Sequence, residues 1–350
     1  MITKWNNYPN EDIEVCSDID DFIFRLTTLS KMVTNGDNYR YIYRGVADIN
    51  HKLVPSALRE KDVDSSSYNK LWSVYESIEG TVSDESKNNE VVQRRAELYI
   101  IQKFYQYAEY AGLSLPTIAN HGMREELLHG NGLELQMAIF GTNFNSKIPV
   151  QWPPKELYSI MSLAQHYGLP TRLLDWSRNP FVAAYFAASG AIQRLKNGDN
   201  PKSLLCIYAS IANIFEVYGH YDFSTNPEIK IYPARLIQPP SAENPNLLAQ
   251  QGIFSVVIND EKIANEQANI MTDRRELSDI LLEANTQNTL KSILPESRFF
   301  TIYLPISKAP KLLLRLKQLG FSANKIYDGY IGAVKATEED ALIQSFMKNT

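Results

Sequence analysis

The chain has few of the residues that build covalent or metal-held frameworks. Only two cysteines, Cys16 and Cys206, stand in its 350 residues. That excludes a disulfide scaffold and any cysteine-based metal site. Five histidines are present and none forms a His-x3-His pair, so no metal is expected. No apolar run approaches the ~18 residues of a membrane span, and no apolar leader follows the initial methionine. A soluble, cytoplasmic protein with no membrane attachment is therefore expected. An excess of positive charge is also missing: 35 basic residues face 40 acidic ones, for a net charge of −5. This excludes a broadly basic coat for nucleic acid but leaves room for a local basic groove. There is no internal repeat and no low-complexity tract.

What is present is enough apolar sequence, 44% of the chain, for one large domain or two ordinary ones. Apolar positions at Phe22, Ile23, Leu26, Leu29 and Met32 predict a helix. Residues 41–46 predict a short strand ending near a glycine. Polar runs flank a short helix around 71–78, and residues 91–112 read as a long aromatic helix. Residues 116–150 read as an irregular or helical insertion. Helices are expected at 155–166 and 180–195, with a turn at 197–201. Beyond that turn the period changes, and strands are expected at 203–209, 229–232, 252–258 and 299–304. Helices follow at 274–285, 308–319 and 337–347. The expected fold is α+β: one mixed domain over 18–335 with a helical insertion at 61–155, followed by a C-terminal helix or tail at 336–350.

The densest chemistry lies in residues 162–188, where an apolar helical pattern is interrupted by Gly168 and Pro170 and resumes after Asn179-Pro180. Between the halves stand Gln165, His166, Thr171, Arg172, Asp175 and Trp176. Polar groups set among apolar ones must be satisfied, so the cluster is either an internal staple or the wall of a site. His166 reads as a general base, as a donor to a ligand, or as a histidine satisfied in the core. Arg172 is expected to face a ligand and Asp175 to serve the fold, as a cap or a buried pair. Asn179-Pro180 reads as an N-cap followed by proline at the first helical position. Arg44, at the end of the first strand, offers a planar fork suited to phosphate or carboxylate. Gly45 beside it would allow a close approach. The alternative for Arg44 is a bridge to an acid such as Asp175. Twenty tyrosines, with Arg94, Arg95, Arg274 and Arg275, could line a groove for single-stranded nucleic acid or simply fill the core.

The central segment resembles the FRG domain, a family named for an aromatic-Arg-Gly motif. Here that motif is Tyr43-Arg44-Gly45, and a third matching block is Gln250-Gln251-Gly252-Ile253-Phe254. The blocks occur in the family's order and span roughly 18–335. The aromatic-Arg-Gly strand also resembles the first motif of the arginine-class ADP-ribosyltransferases, whose arginine holds the phosphates and ribose of NAD. Their Ser-Thr-Ser strand has a partial counterpart in Ser224-Thr225-Asn226. Their third motif carries a glutamate, where this chain has Gln250-Gln251. Glu243, Glu276 and Glu283 are the carboxylates available to supply the missing charge.

These resemblances imply a split ADP-ribosyltransferase-like β core and an NAD-dependent enzyme of toxin or phage-defence type. Arg44, Gln251 and His166 would be the catalytic residues. Tyr43, Arg44, Gly45, Gln165, Thr171, Arg172 and Ser224 would bind NAD. The acceptor would be a nucleic acid, RNA in particular, or a protein, with an antitoxin as a further partner. The other reading is a non-catalytic domain that senses a nucleotide or a partner in a defence system.

Overall fold

A computed structural model describes residues 15–16, 18–31, 41–130, 152–212, 215, 234–241, 244–258, 270–286 and 299–348. The chain enters through α1 (Ile19–Lys31) and β1 (Tyr41–Val46). A helical stretch follows: α2 (Ser65–Glu79), α3 (Asp84–Lys87), α4 (Glu90–Tyr110) and α5 (His121–His129). The central segment holds α6 (Tyr158–His166), β2 (Leu174–Ser177) and α7 (Pro180–Lys196). Then come β3 (Leu204–Ile211), β4 (Ala234–Ile237), α8 (Pro245–Ala249) and β5 (Gly252–Val257). The last elements are α9 (Leu277–Thr286), β6 (Phe299–Pro305), α10 (Ala309–Gln318), α11 (Ala323–Ile326) and α12 (Gly329–Lys348).

The six strands form one open sheet in the order β4-β5-β2-β1-β3-β6, with every neighbouring pair antiparallel. The fold is thus mixed, with helices laid on an antiparallel sheet. The predicted strands at 41–46, 203–209, 252–258 and 299–304 are present within a residue or two at each end. The one at 229–232 lies outside the described residues. Two strands escaped the sequence reading, β2 and β4, each only four residues long. β2 runs through Asp175, the residue expected to act as a cap or a buried pair.

The pairing in the middle of the sheet is thin. β1 and β2 are joined through Tyr43↔Ser177 alone, whereas β1 and β3 pair along the whole of β1. The sheet therefore consists of two three-stranded halves that meet at one residue pair and then splay.

Strand alternation sorts the side chains onto two faces. Trp176 and Leu174 of β2, Ile253 of β5 and Ile42 of β1 pack together with Cys206, Tyr208 and Leu277 on one face. On the opposite face two cores sit side by side. Tyr43 and the β3 and β6 residues Leu205, Ile207, Ile302 and Leu304 pack under α7, α1 and α10. Phe254 and Val256 of β5 pack under α4 and α6 with Tyr99, Ile160 and Met161. Helices from the 61–155 region thus share a core with β5.

α7 lies unusually close to the sheet. A Cβ on Gly45 would sit 1.8 Å from the Ala183 carbonyl oxygen, so only glycine admits the helix there. The close approach that Gly45 permits is by helix backbone. Asn179 caps α7, its Oδ1 accepting from the Phe181 N–H at 2.9 Å, with Pro180 at the first turn, as the sequence predicted.

Candidate functional site

The seam between the two side-by-side cores, above the splay of β1 and β2, opens into a cavity of about 230 Å³. β1 contributes Tyr43, Arg44 and Gly45, and β2 contributes Asp175, Trp176 and Ser177. Ser162, Gln165 and His166 come from α6, and Ala183 and Phe186 from α7. Asn244, Leu247, Gln250, Gly252, Phe254 and Tyr327 close the other side.

Arg44 occupies the splay itself. Its register partner is Tyr208, so by alternation it belongs to the face opposite Asp175. Its guanidinium nevertheless reaches Asp175 through the opening between the strands. Nη1 donates to the Asp175 carbonyl at 2.7 Å and lies 2.8 Å from Oδ1 of its carboxylate. The side chain thus takes the place of a ladder hydrogen bond that the parted strands no longer make. Its Nε is buried and has no hydrogen-bond partner among the described residues. An unsatisfied donor on a buried cation costs stability unless something arrives to accept from it.

Asp175 is the structure's clearest departure from the sequence reading. Instead of pointing into the fold, its side chain is 59% exposed in the cavity. The reason is the strand: Leu174 and Trp176 alternate onto the far face, which turns Asp175 toward the helices. Crowding by surrounding protein pushes its pKa up, but the Arg44 charge and hydrogen bond prevail and hold the carboxyl below its usual range. The Gln165 amide donates to its Oδ1 at 3.1 Å. Thr171 in turn donates its hydroxyl to the Gln165 carbonyl oxygen, and Leu173 N–H donates to Thr171 at 3.1 Å. Thr171 is buried, so it positions Gln165 and does not face a ligand.

Arg172 is corrected likewise. It lies in the interior, 3% exposed, between two carboxylates of α4. Nε donates to Glu97 at 2.7 Å and Nη2 to Glu90 at 3.0 Å. Burial alone would lower its pKa, but the two carboxylates outweigh it and raise it. Glu90 is also held by Arg94 at 2.7 Å, and Glu97 also accepts from Gln93 and Trp152. Arg94 and Arg274 belong to this interior network as well, Arg274 bonding Gln93 and the Leu58 carbonyl. On the aromatic helix α4, Tyr99 and Tyr105 are core.

Gln251 also changes place with its neighbour. Gln250 is the C-cap of α8, and Gln251 adopts a left-handed conformation with φ 47°. Its side chain turns outward while its carbonyl accepts from Arg178 N–H at 3.0 Å. Gln250 lines the cavity instead, its amide donating to the Ile326 carbonyl at 3.3 Å. His166 does line the cavity, and burial lowers its pKa, so it is neutral near pH 7. Tyr43 and Tyr327 are held in the phenol form, Tyr43 chiefly by burial and Tyr327 by burial, Glu339 and Asp175, which push it up to about 12.

Ser224 and Glu243 lie outside the described residues, and Glu276 is buried at the start of α9, away from the cavity. Arg59, unnoticed in the sequence, bonds the Val54 carbonyl and Asp64, each at 3.0 Å. Burial and then the charge of Arg44 lower its pKa, so the two guanidiniums sense each other. Among the described residues no group of three or more His, Cys, Asp or Glu could hold a metal ion, and no helix is long and apolar enough to cross a membrane.

The molecule is therefore an α+β protein whose cleft joins a half-used arginine, a carboxylate, two glutamines and a neutral histidine. Residues 115–195 match the model of the FRG domain family. That span holds the α6–β2–α7 wall of the cavity and stops short of the Arg44 and Gln250 walls. No curated protein and no solved structure matches the chain.

Proposed function

We propose that the cleft binds a dinucleotide of the NAD class and cleaves its N-glycosidic bond, passing ADP-ribose to an acceptor. The observation that carries this reading is the buried Arg44 Nε, a cationic donor without a partner, in the wall of a cavity that also holds a carboxylate. Arg44 would grip the phosphates through the part of its fork that Asp175 leaves free. Its volume of about 230 Å³ is below the ~300–1,000 Å³ usual for whole small-molecule ligands. It suits one half of a dinucleotide, with the rest lying across the mouth.

The chemistry follows from the remaining groups. The C1′–N bond breaks and its electron pair leaves with nicotinamide, while the acceptor's nucleophile bonds to C1′. Asp175 supplies negative charge next to the oxocarbenium-like centre, the role for which the glutamines carry no charge. Gln250 orients a ribose hydroxyl, and neutral His166 takes the acceptor's proton. The two three-stranded halves meeting at one pair support a split core of the ADP-ribosyltransferase kind. In this reading the protein is a cytoplasmic toxin or phage-defence effector, its acceptor a nucleic acid, RNA in particular, or a protein, and an antitoxin restrains it.

One observation favours a second reading. Asp175 is already engaged by Arg44 and Gln165, as in a site that binds a nucleotide without cleaving it. The test is release of nicotinamide from NAD by the purified protein, alone and with RNA, DNA or cell proteins. Release that disappears in Asp175→Asn, while NAD binding persists, is the expected result. Saturable NAD binding with no release under any acceptor would leave the sensor, and absence of binding would remove both.

A further inference from the structure

A second cavity, of about 290 Å³, lies under the helices that cover α7, bounded by α7, α10, α11 and α12. Leu313, Phe321, Ala336 and Ile343 give it apolar walls. Into it faces Glu339, a carboxylate only 8% exposed. Tyr185 donates its hydroxyl to Glu339 Oε1 at 2.6 Å, and Ser189 donates to the same oxygen. Both donors are neutral. Burial first, and then the bond to Glu339, keep the Tyr185 proton in place. Among the described residues Oε2 accepts no hydrogen bond and no cation comes within ion-pair distance of the carboxylate. The neighbouring Asp340 is engaged by Lys317 at 2.7 Å.

A buried carboxylate without a countercharge carries a desolvation cost that an incoming cation relieves. We infer that this cavity is a binding site for an alkylammonium group, its charge on Glu339 Oε2 and its stem against the apolar walls. A hard divalent cation fits poorly, because it needs six or more oxygen ligands, and Asp340, the other carboxylate of the lining, has both oxygens held by Lys317. An alkyl stem with a terminal ammonium matches both halves of the lining. A free polyamine and a lysine side chain of another protein present the same group. The site does not depend on what occupies the Arg44 cleft. It does adjoin that cleft: Tyr185 and Tyr327 meet edge to face at 6.4 Å, and Tyr327 lines the Arg44 cavity.

Calorimetric titration of the full chain with n-butylammonium, and with 1-pentanol as a neutral probe of similar size, tests the inference. The expected result is saturable one-to-one binding of the ammonium and none of the alcohol. Glu339→Gln should weaken binding at least about tenfold, as loss of a desolvated charge pair does. Ala336→Leu, which fills the cavity and keeps the carboxylate, should do the same, and it decides the matter if Glu339→Gln does not fold. Putrescine and a Gly-Gly-Lys-Gly-Gly peptide then separate the two sources, the tighter of them naming the natural one. Equal binding of butylammonium to wild type and both variants, equal binding of pentanol, or no saturable binding would overturn the site.

Discussion

Arg172 and Arg44 both pair with carboxylates, and both belong to the part of the fold organised by residues 171–177, yet they are different devices. Arg172 is enclosed, and its fork is taken up by Glu90 and Glu97. Arg44 sits in a splay of the sheet, holds one carboxylate that is open to the cavity, and leaves Nε without an acceptor. The first arrangement closes a charge network and fixes α4 to the central segment. The second keeps binding capacity in reserve. A satisfied buried pair is a statement about the fold, whereas a half-satisfied one in a cavity wall is a statement about a ligand.

The comparison breaks most visibly in stability. Arg172→Met leaves Glu90 and Glu97 buried without their shared cation and should cost roughly 3–5 kcal/mol in chemical denaturation. Arg44→Lys should barely move the denaturation midpoint and should weaken binding of NAD at least about tenfold, because lysine cannot reproduce the fork. Equal stability losses in the two variants would erase the distinction.

Acid sharpens it next. Glu90 has its pKa lowered to about 2: burial pushes it up, and the charges of Arg172 and Arg94 more than compensate. A depressed folded-state pKa contributes stability that is complete above the unfolded value, near 4.3, and is lost as pH falls through the folded one. Between pH 4.5 and 2 this carboxylate alone should account for roughly 2–2.5 kcal/mol of acid destabilisation. Asp175 is depressed in the same direction, but its exposed side chain is screened, and its share should stay under about 1 kcal/mol. Denaturation midpoints of Glu90→Gln and Asp175→Asn across that range, set against wild type, measure the two shares.

The smallest effects separate adjacent glutamines. Gln250→Ala should weaken NAD binding several-fold by removing a cavity-lining amide. Gln251→Ala should leave it unchanged, since that side chain turns outward from the left-handed residue. An affinity loss confined to Gln251→Ala would reverse the assignment.

Much of the frame was legible in the chain. Asn179-Pro180 announced its helix through local capping chemistry, and β1, β3, β5 and β6 showed as apolar or aromatic runs. β2 and β4 were invisible because four residues are too few for a period to declare itself. The omission of β2 misassigned Asp175. Without the strand, nothing indicated that Asp175 alternates toward the cavity while Leu174 and Trp176 turn away. Nor could spacing reveal that Arg172 meets Glu90 and Glu97, which lie 82 and 75 residues earlier.

The sequence by itself determined that this protein is a mixed α+β fold without disulfides, and which segment holds its polar chemistry. Those properties follow from composition, local periodicity and caps, which act over a few residues. Which of the polar side chains face the cavity and which close the interior was decided only by tertiary structure. Strand pairing sets the facing of every residue on β2, and a carboxylate from a distant helix determines whether an arginine's fork is taken or left free.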